Sequence, residues 1–221
     1  PFHSAPLARL ASGSVALAVR VSNVFCTACL EKPKTPSPID FTPLRVDYQE
    51  RSSAVGQTKR GYIKRDGRPS DHETLVSRLI DRPIRPLIPE GWACETQLAA
   101  TVLSYDATNL PDVLAICGAS AALSISEVPF PRPVAAVRVA IVDGEIVVNP
   151  TNAQTDATEL DMIIAGTADA VLMVEGFGDF VPEARMLDAI EAGMAAIATI
   201  ARALEDWRPA AGKPPYVRGL L

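Results

Sequence analysis

Histidine is nearly missing from this chain of 221 residues: there are two, His3 and His72. A Ser/His or Cys/His nucleophile pair, or a zinc site built on a histidine cluster, has little to draw on. Cysteine is sparse too, four in all, which is too few for a disulfide scaffold and fits a reducing compartment. There is no G-x-G-x-x-G, no P-loop and no H-E-x-x-H, so the usual dinucleotide, nucleoside-triphosphate and zincin signatures are excluded. Long apolar runs are also lacking. Ala115–Leu123 and Ala192–Ala201 are broken by Gly, Ser or Thr well before the roughly 20 residues a bilayer requires, so neither a transmembrane span nor a membrane partner is expected. The first residues lack the charged and then apolar stretches of a secretory signal. Their Pro-Phe-His start, without Met, reads as a fragment or a processed product.

What is present is globular in character. Hydrophobic residues make up 48% and charged residues 21%, enough for one large domain or two small ones with a buried core. The net charge of −5 is unevenly spread. Lys and Arg outnumber Asp and Glu from Lys59 to Arg85, whereas acids dominate from Thr101 to Asp206, so a basic island sits in an acidic chain.

The apolar patterning reads as α+β. Ser14–Arg20, Asn23–Leu30 and Phe41–Gln49 have strand character, with a Pro/Lys/Ser loop over Lys32–Pro38. Ser70-Asp71-His72-Glu73 carries capping-box spacing, followed by Leu75, Leu79 and Ile80 at helical spacing, with Pro83 expected to end or kink the helix. Leu98–Ser104 reads as a strand and the small, apolar Asp112–Ser124 as a helix packed closely on a sheet. Val134–Ile141 and Glu145–Asn149 flank an Asp143-Gly144 hairpin turn. Leu160–Ala165 and Ala170–Glu175 add two strands. Glu183–Trp207 is a long amphipathic helix with Met186, Ile190, Met194, Ile197 and Leu204 near one face, expected to end before Pro209.

Four features invite a chemical reading. Lys59-Arg60-Gly61-Tyr62-Ile63-Lys64-Arg65-Asp66-Gly67-Arg68 sets an aromatic among cations on a glycine-bearing loop. Single-stranded nucleic acid requires this combination, a π-face for a base and charges for phosphates; the alternative is a solvated loop. Arg78, Arg82 and Arg85 fall on one helical face, where guanidinium forks suit phosphate oxygens, or else pair with Asp66, Asp71, Asp81 and Glu90. Cys26-Thr27-Ala28-Cys29 suggests a thiol-redox or zinc function, but it falls in a strand and no second cysteine pair follows, so core cysteines are expected. Asp156, Glu159 and Asp161 could gather Mg²⁺, against the plainer reading of solvated surface charge.

The runs Ile39–Glu50, Lys64–Ser70 and Ser77–Gly91 closely resemble the N-terminal half of the polynucleotide phosphorylase family. Cys117-Gly118-Ala119-Ser120-Ala121-Ala122-Leu123, Leu160-Asp161 with Ala165-Gly166-Thr167, and Ala170–Glu175 fit it as well, so the resemblance spans roughly residues 8 to 205. It implies an RNase PH-like fold (ribosomal protein S5 domain 2-like), a βαβ-type domain over 8–181, with 182–221 forming the long helix and the start of a helical linker. It further implies a phosphorolytic 3′→5′ exoribonuclease active in RNA degradation. Inorganic phosphate and Mg²⁺ or Mn²⁺ would be held by a second RNase PH-like domain that, with KH and S1 modules, is absent from these residues.

The resemblance assigns this part RNA handling rather than catalysis. The family's phosphate-holding serine run falls at Leu110, Pro111 and Asp112. Its Asp, Asp and Lys set falls at Thr155, Asp161 and Ile163, so one of the three is kept. The family's aromatic-aromatic-Arg-Arg loop maps to Tyr62, Ile63, Lys64 and Arg65, and Arg68, Arg78, Arg82 and Arg85 match retained positions, either lining the route to the reaction centre or paired structurally within it. The implied partners are single-stranded RNA, two further copies in a homotrimer, and an RNA helicase or endoribonuclease in a degradosome-like complex. The implied location is cytoplasmic in a bacterium, or plastid or mitochondrial in a eukaryote. The competing reading is a stand-alone, non-catalytic RNA-binding or scaffold module of the same fold.

Overall fold

A computed structural model describes residues 2–4, 7–32, 41–58, 68–155 and 158–216. Strands β1 (Phe2–Ser4), β2 (Gly13–Val19), β3 (Ser22–Leu30), β4 (Leu44–Glu50) and β5 (Thr96–Ser104) form one sheet in the order β1-β2-β3-β5-β4, with helix α1 (Asp71–Ile84) between β4 and β5. Helix α2 (Asp112–Ser124) leads to a second sheet made of β6 (Ala135–Val142), β7 (Glu145–Val148), β8 (Leu160–Gly166) and β9 (Val171–Gly178), ordered β7-β6-β8-β9. A single-turn helix α3 (Asn152–Thr155) precedes β8, and α4 (Glu183–Ala211) follows β9. β4 and β5 are parallel and joined through α1, which is the expected βαβ unit; all other pairs are antiparallel.

Small residues explain why α2 sits where it does. It lies between the two sheets and is buried from Ala115 to Ser124. A Cβ at Gly118 would stand 2.6 Å from Cys26 Sγ on β3. One residue earlier, Cys117 Sγ accepts the Ala136 N–H of β6 at 3.3 Å, and Ser120 Oγ accepts the Val134 N–H at 2.7 Å. Consecutive residues thus meet opposite sheets, an approach only small side chains allow. α4 covers the far sheet, with Ala189, Gly193, Ile197, Ala201 and Leu204 inward; a Cβ at Gly193 would meet Ile164 Cδ1 at 2.7 Å and Val139 Cγ2 at 3.0 Å. The expected boundary at 181/182 therefore falls between β9 and a helix that packs directly on β6 and β8.

The β6–β7 hairpin turns on Asp143 (φ 51°) and Gly144 (φ 79°), the two positive φ values of a type I′ turn. Two proline expectations need correction. α1 runs through Pro83 to Ile84 and α4 through Pro209 to Ala211. Both prolines lie in a last turn, where the missing N–H removes a single bond, and the turns still close through Arg85 N–H to Asp81 O and Gly212 N–H to Arg208 O. Among the described residues no helix is long and apolar enough to cross a membrane.

The Gly118–Cys26 contact yields a sign test. Gly118→Ala should destabilise the fold by roughly 1–3 kcal/mol through overpacking, whereas in a Cys26→Ala background, where the nearest Cys26 atom left is Cβ at 3.6 Å, the same change should be neutral or stabilising because Ala is the better helix former. Urea denaturation of the four proteins reads the cycle.

Candidate nucleic-acid interface

The start of α1 is built by its capping box. Ser70 Oγ accepts the Glu73 N–H at 3.1 Å while Glu73 Oε2 accepts the Ser70 N–H at 2.7 Å, so the helix begins where the sequence places it. The helix aims its cations outward along one stripe, but they do not act alike. Arg68, just before the cap, and Arg78, in the second turn, are exposed and make no hydrogen bond or ion pair among the described residues. Arg82 pairs with Glu175 on β9. Arg85 is a structural tie: it clasps both carboxylate oxygens of Asp81 (Nε at 3.0 Å, Nη2 at 2.6 Å) and donates to the Thr42 and Leu44 carbonyls at 2.8 and 3.1 Å. The row expected from spacing thus divides into one free cation, Arg78, one shared, Arg82, and one, Arg85, committed to anchoring the chain entering β4; Arg68, ahead of the helix, is free as well. Tyr62, Ile63, Lys64 and Arg65 lie outside the described residues.

Beside the cap, the end of β4 carries a polar cluster that spacing did not reveal. The Tyr48 side chain is buried, and its hydroxyl donates to Glu50 Oε1 at 2.7 Å. Burial first, and the Glu50 carboxylate second, push the phenol's pKa far up, so it remains a proton donor. His72 Nε2 faces the same Glu50 oxygen at 3.2 Å.

The start of α2 is organised against anions. Pro111 provides no side-chain cap, and the Val113 N–H at the helix N-terminus is taken by Asp112's own carboxylate at 2.7 Å. Free amides at a helix start favour phosphate; here a carboxylate already uses one, and its charge repels another anion. Asp112 in turn meets Arg138 Nη1 at 3.3 Å, and Arg138 forms a forked pair with Asp161, Nε lying 2.7 Å from Oδ1. Burial, only partly offset by Arg138 and the Val113 amide, raises the Asp112 pKa, while the Asp161 hydrogen bond keeps Arg138 firmly charged. An adjoining cleft of about 270 Å³ is walled mainly by apolar groups, including Val19, Leu110, Pro111, Leu114 and Ile200. Of its two arginines, Arg138 is already held by Asp112 and Asp161, which leaves Arg20 alone facing a helix start occupied by a carboxylate, a poor fit for a bound phosphate. The residues here do not fit a divalent metal either: Asp161 is engaged by a guanidinium, and Thr155 Oγ1 donates to the Asn152 carbonyl. Among the described residues no group of three or more His, Cys, Asp or Glu could hold a metal, and Asp156 lies outside them.

The Cys26/Cys29 pair is resolved by strand geometry. Residues three apart on a strand point to opposite faces; Cys26 is buried against Gly118 and Cys29 is exposed, and both thiols are free. Burial raises the Cys26 pKa well above the ordinary thiol range and pushes Cys117 up to about 11, so neither is an activated thiolate.

The fold and this arrangement define an RNase PH-like unit. Residues 3–129 match the model described as "3' exoribonuclease family, domain 1" and residues 132–196 that for domain 2 of the same family; the chain belongs to the 3′ exoribonuclease family. The two matches divide the chain between α2 and β6, where the second sheet begins. The chain is similar to the polyribonucleotide nucleotidyltransferase of Protochlamydia amoebophila, 53% identical over 213 residues that cover 96% of this chain and 30% of that protein. It is similar also to that of Chlamydia muridarum, 48% identical over 220 residues that cover 100% of this chain and 32% of that protein. It therefore spans about 30% of the length of these curated relatives. Rice Rrp46 shares the fold, with a TM-score of 0.73 at 17% identity, over 95% of this chain and 94% of that one.

Arg138→Met should cost about 3–5 kcal/mol at neutral pH, because it leaves Asp112 buried and Asp161 unpaired. A carboxyl with a raised folded pKa binds more protons folded than unfolded, so its contribution is full at low pH and is lost as pH rises past the ordinary carboxylate range. With the arginine gone this loss steepens, and the gap between variant and parent should shrink on acidification toward pH ~4, as read by denaturation at several pH values.

Proposed function

We propose that this chain is the N-terminal, RNA-guiding part of a polynucleotide phosphorylase. What supports the reading is identity near 50% over essentially the whole chain to proteins called polyribonucleotide nucleotidyltransferases. In the whole protein, inorganic phosphate attacks the phosphorus of the terminal linkage of an RNA strand. The penultimate nucleotide's 3′ oxygen leaves, and the end nucleotide departs as a diphosphate. The phosphate and a divalent cation, Mg²⁺ or Mn²⁺, belong in this reading to a second unit of this fold in the whole protein; in support, the start of α2 is closed to anions by Asp112, and Asp161 is held by Arg138.

The contribution of this chain is to bind and direct the strand. Arg68 and Arg78 offer unpaired guanidinium groups to phosphates, and the adjoining segment carries Tyr62, Ile63, Lys64 and Arg65 for stacking and charge. A base stacked on Tyr62 contributes roughly 1–3 kcal/mol. The whole protein assembles as a homotrimer in the bacterial cytoplasm and works beside an RNA helicase or endoribonuclease in RNA turnover.

Purified as 221 residues, the chain should release no ADP from poly(A) and phosphate; phosphate-dependent release would place the chemistry here and refute the division. Changing Tyr62, Lys64 and Arg65 together to Ala should weaken single-stranded RNA binding and flatten its salt dependence, by about 0.7 in log–log slope for each phosphate no longer neutralised. Arg78→Ala should weaken RNA binding at unchanged Tm. Arg85→Ala should instead lower stability, on the order of 1–3 kcal/mol, by orphaning Asp81 and two carbonyls. The reverse pattern for these two arginines would contradict the assignment.

A further inference from the structure

β4 is an edge strand of the first sheet, and an edge leaves a row of outward N–H groups unpaired. Here α1 supplies the acceptors. The Tyr48 N–H donates to Ser77 Oγ at 3.0 Å and the Glu50 N–H to Glu73 Oε1 at 2.9 Å, two residues apart as an edge requires. Ser77 is aimed by donating its own hydroxyl to the Glu73 carbonyl at 2.8 Å. The Glu73 carboxylate thus serves two chain positions at once: Oε2 takes the Ser70 N–H of the capping box, and Oε1 takes the last amide of β4. A capping box explains only the first of these bonds. The second joins the point where the chain leaves the sheet to the point where it returns at the helix, across residues 51–69. His72, facing Glu50 at 3.2 Å, lies against the same junction.

We propose that Glu73 is a positioning residue for RNA binding: its carboxylate locks the start of α1 to the end of β4, and so fixes Arg68 and Arg78 relative to the sheet. The proposal rests on the reading of that face as an RNA surface. Glu73 is itself an anion beside that surface, which makes the test sharp. Removing its charge would tighten binding to a polyanion if electrostatics alone governed it, whereas loss of positioning weakens binding. The two effects have opposite signs.

The experiment compares Glu73→Leu with Ser70→Ala in the 221-residue chain, reading fluorescence anisotropy with single-stranded oligoadenylate and amide hydrogen exchange at Glu50. The leucine is close in size and leaves no acceptor for the Glu50 N–H. Ser70→Ala removes the other half of the capping box but leaves the Glu73–Glu50 bond in place, which separates helix capping from the junction. Expected are an RNA affinity lower by about five-fold or more in Glu73→Leu and changed by less than about two-fold in Ser70→Ala, with Glu50 exchange accelerated only in the former. Equal or tighter RNA binding by Glu73→Leu, or unchanged Glu50 exchange, overturns the proposal. If Arg68→Ala/Arg78→Ala binds RNA as the parent does, the RNA reading fails instead, and with it the functional part of the proposal; the Glu50 exchange still shows whether the lock exists.

Discussion

The close approach of α2 to both sheets is the constraint on which the rest of the molecule depends. Gly118 against Cys26 on one side, and Cys117 and Ser120 against the Ala136 and Val134 amides on the other, leave no room for larger residues. Such packing fixes the helix axially as well as laterally, because the sulfur and hydroxyl acceptors serve backbone donors that would otherwise be buried without partners. The position of Asp112 at the helix start follows from it, and so does the reach of Arg138 from β6 to both Asp112 and Asp161. A second tie, the α1 side chains bonded to the edge of β4, places the start of α1 on the same body.

The two helix starts then serve different ends. At α2 the charges are taken up among themselves and the cluster stays net negative: a carboxylate takes a terminal amide, and one guanidinium answers two carboxylates. Nothing there invites a phosphate. At α1 two nearby carboxylates are used internally, Glu73 of the first turn on two amides and Glu50 at the end of β4 on Tyr48, while Arg68 and Arg78 keep their donors for an outside partner. Among the described residues of the basic island, Arg68 and Arg78 are therefore exposed cations at and just before one helix, in a chain whose remainder is acidic. A strand of RNA held at α1 and cleaved by a separate unit agrees with this division.

Much of the fold was legible in local patterns. Asp112–Ser124 coincides with α2 because a run of 13 mostly small, apolar residues exceeds the usual length of a buried strand and suits a helix packed between layers. The Ser70–Glu73 box and the Asp143-Gly144 turn carry their geometry in a few residues. Pro83 and Pro209 misled because a proline near a helix end costs one bond instead of the helix. The site was less legible, since its ties join distant residues: Arg85 to Thr42 and Leu44, Glu73 to Glu50, Arg138 to Asp112 and Asp161. Spacing put three arginines on one face, yet only the fold separates the free Arg78 from the shared Arg82 and the anchored Arg85. The CxxC motif shows the same limit in reverse, because strand alternation sends its two thiols to opposite faces.

The central claim is that RNA lies along the start of α1 and avoids the start of α2. Photocrosslinking of a single-stranded RNA bearing 4-thiouridine, followed by mass spectrometry of the crosslinked peptides, tests it most directly. The account expects adducts on the peptides from Lys59 through Arg82 and none on the peptide containing Asn109–Val113. Adducts concentrated at Asn109–Val113, with the α1 peptides unlabelled, would contradict it.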